Sequence, residues 1–251
     1  MKDVEKILSE FEPITLKEMD SVSLMKRTDT KYIFRTELLP RFLNEITNDY
    51  KILDIEGNRI NSYETLYFDT ENFQMYLHHQ NGKNNRYKVR FRTYIESKLN
   101  YFEVKFKNNK KQTFKERIKL KENNTLIIDR AEDFLHEKTN FKSNELAPKL
   151  WVNYSRITLV NKNFPERLTI DLMLQFKNET KQHQMPEIVI AELKQGRRTN
   201  TAFVEVMRKH RIRTSSISKY CFGIIFLFEN IKKNNFKLKL LNLNKIRYGT
   251  I

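Results

Sequence analysis

Residues 86–107 read RYKVRFRTYIESKLNYFEVKFK, and the alternation within this stretch decides the fold. Side chains two residues apart in a β-strand point to the same face of a sheet. In 87–95 and in 99–107, basic residues therefore share one face and apolar residues share the other. The short polar segment 96–98 between the two runs is typical of a hairpin turn. The stretch predicts two antiparallel strands with one basic face and one apolar face.

The same alternation extends over most of the chain. Further strands are predicted at 31–35, 62–69, 112–120, 152–160, 167–176 and 188–193. Helices are predicted at 4–11, 36–48, 73–79, 129–151, 199–211 and 217–231. The pattern predicts one α+β domain on a large antiparallel sheet for 1–231, followed by a basic tail at 232–251.

The polar positions of these strands are mostly basic. They include Lys88, Arg90, Arg92, Lys105, Lys115, Arg117, Lys119, Arg156, Arg167 and Lys194. A solvated outer face would be expected to mix in many Ser, Thr and Asn residues. Like charges on neighbouring strands repel, so such crowding favours a bound counter-anion. If the sheet closes into a barrel, the basic faces meet in its lumen and the apolar faces pack outward against helices.

The overall charge also points to an anionic partner. The chain has 47 Lys and Arg against 31 Asp and Glu, a net charge of +16. Such an excess is typical of proteins that bind nucleic acid, anionic lipid or phosphate chains, although it is also expected from a Lys-rich genome. Nucleic acid is disfavoured, because the aromatic residues alternate with the basic ones and point the other way.

The cysteine content and the apolar runs of the sequence indicate the cellular compartment in which the protein is expected. Cys221 is the only cysteine, which excludes an internal disulfide. The longest apolar run, 221–228, is too short to span a bilayer, and residues 1–12 do not resemble a signal peptide. The sequence therefore predicts a cytoplasmic protein.

Acidic residues on the basic faces are the candidate metal ligands. Glu103 and Glu192 each precede a lysine by two residues, so a salt bridge is one interpretation. Carboxylates beside a phosphate site also bind Mg²⁺ or Mn²⁺, which prefer oxygen ligands. Glu192 is the first candidate, and Asp171 and Glu103 are the next. Ser218 and Lys219 open an apolar helix, where they serve as an N-cap, a phosphate site at the helix N-terminus, or both.

Six short segments together resemble the VTC domain, the polyphosphate polymerase domain of the triphosphate tunnel metalloenzyme (CYTH-like) superfamily. They are Arg27-Thr-Asp-Thr-Lys31-Tyr32, Thr65-Leu-Tyr-Phe-Asp69-Thr70, Arg86-Tyr-Lys88-Val-Arg90-Phe-Arg92, Phe102-Glu103-Val-Lys105, Glu192-Leu-Lys194 and Ser218-Lys219-Tyr220. The resemblance implies a closed tunnel of eight antiparallel strands, in which the γ-phosphate of ATP is transferred to polyphosphate with Mn²⁺ or Mg²⁺.

The resemblance also implies roles for individual residues. Glu192 would hold the metal, and the phosphates would be contacted by Lys31, Arg90, Arg92, Lys105, Lys115, Arg156, Arg167, Ser218 and Lys219. The alternation adds Lys88, Arg117 and Lys194 to the phosphate-binding set. Lys31, Arg90, Arg92, Lys105 and Lys219 are the predicted catalytic residues.

The departures from related families leave two alternatives open. Tunnel hydrolases carry Glu-x-Glu-x-Lys where this chain has Arg27-x-Asp29-x-Lys31, and Ser216 stands where many polymerases of this type have a basic residue. The alternatives are a metal-dependent triphosphate or nucleotide hydrolase and a non-catalytic polyanion-binding domain. A membrane-protein partner is compatible with each of these functions.

Overall fold

The structure is a computed structural model that describes residues 2–21, 28–110, 112–122 and 124–249. Arg27 of the first VTC-like segment lies outside these residues. The strands within them are β1 Glu12–Ile14, β2 Thr28–Arg35, β3 Tyr50–Leu53, β4 Asn61–Asp69, β5 Arg86–Tyr94, β6 Leu99–Lys107, β7 Thr113–Leu120, β8 Ala147–Asn161, β9 Glu166–Lys177, β10 Gln182–Met185, β11 Ile188–Gln195 and β12 Thr214–Ser215.

The helices lie between and after these strands. They are α1 Lys2–Ser9, α2 Leu16–Ser21, α3 Leu39–Ile46, α4 Gln74–Gln80, α5 Arg130–Lys138, α6 Ala202–Lys209, α7 Lys219–Leu227 and α8 Lys237–Tyr248. Short 3₁₀ turns occupy Thr36–Leu38, Ser143–Glu145 and Asn234–Phe236. None of the described helices has the length and apolar character needed to cross a membrane.

The strands form one large sheet in the order β12-β2-β11-β9-β8-β4-β5-β6-β7. All neighbours along this path are antiparallel, and β10 pairs with β9 and β3 with β8 at its sides. The α+β class with a large antiparallel sheet is therefore confirmed. The predicted closed eight-stranded β-barrel is corrected, because no pairing among the described residues joins the end strands β7 and β12. β12 has only two residues, which gives β7 almost no edge to pair with.

The predicted helix at 129–151 is also corrected. Only Arg130–Lys138 is α-helical, and β8 already begins at Ala147. Ala147 pairs with Asp69 and Trp151 pairs with Leu66, so this segment extends the sheet along β4. Short apolar runs fit either structure, and here the partner strand decides the outcome.

Helices cover both faces of the sheet. On the outer face, α1, α3 and α6 pack on β2, β8, β9 and β11, and α5 packs on β5 and β6. α7 is apolar all round and lies on the inner face, where its neighbours include Leu150 and Phe176. By register, Leu150 shares its face with Tyr67 of β4. The expectation that helices pack only outside the sheet is therefore wrong, since α7 fills one part of the inner face.

The segment after residue 231 is attached to the domain by defined contacts. The Tyr76 hydroxyl donates to the Lys232 carbonyl over 2.8 Å, and Phe236 and Leu243 are buried beside α4 and α7. Arg247 of α8 forms an ion pair with Glu187. The basic tail of the sequence is thus largely a helix that packs on the domain through Leu243.

Gly223 of α7 is expected to tolerate no side chain. A Cβ atom there would lie 2.2 Å from Leu150 Cδ1 and 2.8 Å from Phe176 Cδ1, and both side chains are buried. Replacing glycine in a helix favours folding by up to about 1 kcal/mol, but overpacking costs about 1–3 kcal/mol. We expect Gly223→Val to lower the free energy of unfolding by about 2 kcal/mol, measured by urea denaturation. Asn242→Ala on the exposed side of α8 is the control, and equal stability of the two variants would contradict this packing.

Candidate functional site

The strand register places the candidate residues on one face of the sheet, which we call the inner face. Lys88 of β5 pairs with Lys105 of β6, which pairs with Lys115 of β7. Likewise Arg90 pairs with Glu103, which pairs with Arg117. On the other half of the sheet the pairs are Arg156 with Asp171, Thr169 with Glu192, Glu192 with Lys31, and Arg167 with Lys194.

The inner face is concave, because side chains from distant strands meet across it. Lys88 Nζ of β5 donates to Ser218 Oγ at the start of α7 over 2.8 Å, and the next residue, Lys219, pairs with Asp171 of β9. Glu192 on β11 also acts electrostatically on Lys105 of β6. The basic residues therefore line a common space, which we call the basic tunnel.

A first carboxylate, Glu103, lies at the centre of a cluster of cations. Arg90 Nε donates to Glu103 Oε2 over 2.6 Å, Lys115 Nζ lies 2.5 Å from Oε1, and Arg92 lies 3.8 Å away. Only 1% of the Glu103 side chain is exposed. Burial raises its pKa, but Arg90, Arg92 and Lys115 outweigh burial and hold the pKa of Glu103 well below its usual range. Glu103 is therefore an ionised anchor for three cations.

Asp171 forms a second such cluster on β9. Arg156 donates to both of its oxygens, with Nε–Oδ1 at 2.6 Å and Nη2–Oδ2 at 2.9 Å, and Lys219 also donates to Oδ2. Burial opposes ionisation of Asp171, yet Arg156 and Lys219 lower its pKa to about 2. Lys219 also lies over the Tyr154 ring, 4.3 Å from its centroid. This bidentate geometry fixes the Arg156 guanidinium and brings the start of α7 to β9.

Glu192 is the third carboxylate and the most accessible of the three. It accepts a hydrogen bond from Lys31 over 2.9 Å and lies 3.8 Å from Lys194. Burial raises its pKa, but Lys194 and Lys31 outweigh burial and hold it well below the usual range. Its side chain is 19% exposed, against 1% for Glu103 and 2% for Asp171. Glu192 is therefore the carboxylate that can most readily exchange its partners.

Lys88 and Lys105 have no carboxylate partner among the residues that the structure describes. Lys105 is accessible to water, yet desolvation by the surrounding protein, together with Lys88 and Arg90, lowers its pKa to about 8. Desolvation likewise lowers the pKa of Lys194 to about 8 and that of Lys115 to about 7. Neighbouring cations contribute to these lowered pKa values, and a bound anion would oppose their effect.

Two candidates lie at the edge of the tunnel. Arg117 is exposed and stacks on the Tyr101 ring, 4.3 Å from its centroid. Arg167 lies at the start of β9, where it shares the inner face with Lys194 of β11. Lys119, which pairs with Tyr101, is exposed as well.

Tyrosines are the component of the site that sequence reasoning missed. The Tyr67 hydroxyl accepts a hydrogen bond from Arg90 over 2.8 Å, and Tyr63 stacks on Tyr154 with ring centroids 5.1 Å apart. Burial raises the pKa of Tyr67, but Arg90, Arg92 and Lys88 lower it to about 8. The available signal was Tyr63-x-Thr65-x-Tyr67, a polar face on β4 that the basic alternation does not include.

A second missed residue positions the start of α7. Asp69 is buried and accepts hydrogen bonds from the Tyr220 hydroxyl and from the amides of Met75 and Tyr76, each amide over 2.8 Å. It therefore ties the N-terminus of α4 to α7. Ser218 caps α7 by accepting from the Cys221 amide over 3.3 Å and also accepts from Lys88, so its N-cap role is confirmed and its phosphate-site role stays a prediction.

The carboxylates of the inner face fit a divalent cation in only one binding mode. Within the described ranges, no group of three or more His, Cys, Asp or Glu side chains forms a metal site. Mg²⁺ is commonly bound by one or two carboxylates together with substrate phosphates. Glu192 fits that mode as a single protein ligand, whereas Glu103 and Asp171 are each saturated by cations.

Comparison with known proteins shows which family and which solved structures the chain resembles. A family model described as the VTC domain matches residues 26–228. No curated protein sequence matches the chain. A solved Hippeastrum protein, described as a candidate adenylyl cyclase with a dominant triphosphatase activity, has a TM-score of 0.54 at 10% identity, covering 82% of this chain and 98% of its own. A candidate adenylate cyclase from Bacillus halodurans has a TM-score of 0.47 at 13% identity, covering 82% and 100%. The likeness to the Hippeastrum protein shows a shared fold.

The lowered pKa values predict how stability depends on pH. Lys105, Lys115 and Lys194 have folded pKa values of about 8, 7 and 8, below the usual lysine value of about 10.4. Between these limits the unfolded chain binds more protons than the folded chain, so stability rises with pH. Tyr67, with a folded pKa of about 8 against about 10, acts in the same direction.

We therefore expect the free energy of unfolding of the ligand-free protein to increase between about pH 7 and pH 10. Lys105→Met is expected to reduce that slope, whereas Lys121→Met, at an exposed bend, is the matched control. Urea denaturation at several pH values measures the slope. Equal slopes in the two variants would show that Lys105 does not titrate in the tunnel.

Proposed function

The chain belongs to the VTC domain family, and from this premise we propose that it transfers the γ-phosphate of ATP onto a polyphosphate chain inside the basic tunnel. The observation that carries the proposal is the set of cations without carboxylate partners on a concave face. Lys88 and Lys105 belong to this set, within the described part of the chain, and Lys31 acts electrostatically on both. A polyanion that enters the tunnel supplies the missing counter-charge.

The reaction requires no nucleophile from the protein. A terminal phosphate oxygen of the acceptor chain attacks the γ-phosphorus of ATP and forms a new P–O bond. The bond from that phosphorus to the β–γ bridging oxygen breaks, and ADP leaves with the electron pair. The acceptor oxygen is already anionic, so no general base is needed.

The protein contributes charge and orientation. Two polyanions repel each other, and Lys and Arg side chains that are held in place neutralise them and stabilise the charge that develops on the transferred group. Arg90 is oriented by Glu103 and Tyr67, and Arg156 by Asp171. These guanidinium groups are therefore preorganised and lose little rotamer freedom when phosphate binds.

Mn²⁺ or Mg²⁺ would be held by Glu192 together with phosphate oxygens, where it would neutralise phosphate charge as a Lewis acid. Lys31 and Lys194 contact Glu192 in the described structure. With a cation held by Glu192, these two lysines would be available to contact the phosphates. The proposal thus gives Glu192 a role that Glu103 and Asp171 do not share.

A second candidate function is the hydrolysis of triphosphate or a nucleotide. It is favoured by the shared fold with the Hippeastrum protein, whose description reports a dominant triphosphatase activity. The two reactions differ in acceptor, since water replaces the polyphosphate end. Release of orthophosphate without chain growth would favour hydrolysis.

We expect the purified protein with ATP and Mn²⁺ or Mg²⁺ to form ADP and polyphosphate in step. Lys105→Met is expected to lower kcat/KM about 100-fold, because one of the cations that faces the phosphates is lost. Lys121→Met removes an exposed lysine and serves as the control. ADP is measured by a coupled assay and polymer by gel electrophoresis. Absence of both products, or equal activity of the two variants, would contradict the proposal.

Glu192→Gln separates an enzyme from a domain that only binds polyanions. We expect turnover to fall about 100-fold, while the affinity for tripolyphosphate stays the same or increases because one negative charge is removed. Titration calorimetry measures the affinity, and Glu116→Gln, an exposed residue of β7, is the control. Retained turnover in Glu192→Gln would argue against a metal-binding role for this residue.

A further inference from the structure

The outward side of α8 carries an exposed apolar stripe. Leu238, Leu241 and Tyr248 are 71%, 49% and 67% exposed. Their spacing of three and seven residues places them on one helix face, together with Lys245. The opposite face is anchored by Leu243, which is 1% exposed and packs beside Phe236. The stripe is therefore not needed to hold α8 on the domain.

This stripe lies within a strongly basic segment. Residues 231–249 contain Lys232, Lys233, Lys237, Lys239, Lys245 and Arg247 and no acidic residue. All five lysines are exposed, and none forms an ion pair within the described part of the chain. Lys239 lies over the Phe236 ring, 5.4 Å from its centroid, and Arg247 pairs with Glu187. Lys239 therefore faces the domain, and we call the stripe together with Lys232, Lys233, Lys237 and Lys245 the α8 surface.

We propose that the α8 surface docks on an anionic lipid bilayer. Apolar residues on one side of a basic helix insert at the boundary between headgroups and acyl chains, and lysines beside them reach up to the anionic headgroups. A tyrosine at the end of such a stripe suits the headgroup level. Each lysine near an anionic surface adds electrostatic attraction to it.

Charge complementarity selects this occupant over a second copy of the chain. In a symmetric dimer through α8, two lysine-rich surfaces would face each other and repel, since the neighbouring Glu187 is already paired with Arg247. A bilayer supplies both an apolar layer for Leu238 and Leu241 and a continuous negative surface for the lysines. The docking is separate from the tunnel, because the residues of the α8 surface are not among those that line it.

The test is flotation of the full chain with phosphatidylcholine vesicles that contain or lack phosphatidylglycerol. We expect binding to the anionic vesicles only, and at least about tenfold weaker binding for the double variant Leu238→Ser with Leu241→Ser. The matched control is Leu126→Ser with Ile128→Ser, since these residues are 60% and 43% exposed and lie far from α8 in the sequence. Both variants change exposed side chains, and denaturation curves confirm that they are folded.

A second pair of variants tests the charges. Lys232→Gln, Lys233→Gln and Lys237→Gln together are expected to weaken binding to anionic vesicles at least about tenfold. The matched set is Lys98→Gln, Lys110→Gln and Lys121→Gln, which removes the same charge from exposed positions elsewhere. If the two sets lose vesicle binding equally, only the net charge of the protein matters, and the proposal is overturned. Failure to bind vesicles, or a change of oligomeric state in the leucine variant, would overturn it as well.

Lys105→Met distinguishes this inference from the proposed function. It is expected to lose phosphate transfer and to keep vesicle binding. The variant Leu238→Ser with Leu241→Ser is expected to keep phosphate transfer in solution and to lose vesicle binding. Loss of vesicle binding in Lys105→Met would show that the tunnel, rather than α8, holds the anionic lipid.

Discussion

Mutual repulsion among the cations of the inner face is the constraint on which the rest of the structure depends. At an effective dielectric constant of about 20, two like charges 4 Å apart repel by about 4 kcal/mol, a large part of the stability of a domain. Glu103, Asp171 and Glu192 reduce this repulsion, and each is held ionised by the cations around it. Since Lys88 and Lys105 have no such partner among the described residues, the ligand-free tunnel still carries unbalanced positive charge. In the proposed function, that residual charge favours a polyanion.

The three carboxylates also determine which cations are fixed and which respond. Arg90 and Arg156 are held by short hydrogen bonds to buried acids, so their orientation is set before any ligand arrives. The lysines of the tunnel are partly desolvated; desolvation is the largest cause of the lowered pKa values of Lys105 and Lys194, and neighbouring cations act in the same direction.

Much of this arrangement was predictable from alternation alone. The shared faces of β5, β6 and β7 follow from a period of two, because a strand leaves no other arrangement for its side chains. Closure was not predictable, since it depends on whether β7 meets β12, and β12 is only two residues long. The prediction of a helix at 129–151 was wrong because Ala147 and Trp151 pair with β4, a strand that is distant in sequence. Tyr67 and Asp69 were missed because they act through partners from other strands and helices.

The start of α7 explains how an open sheet can still enclose a site. Successive residues of a helix point in directions about 100° apart, so Ser218, Lys219 and Tyr220 reach three different strands. Ser218 accepts from Lys88 of β5, Lys219 pairs with Asp171 of β9, and Tyr220 donates to Asp69 of β4. α7 then continues over the apolar part of the inner face, against Leu150 and Phe176. Side-chain bonds from the start of α7 thus join β9 to the paired strands β4 and β5 across the inner face.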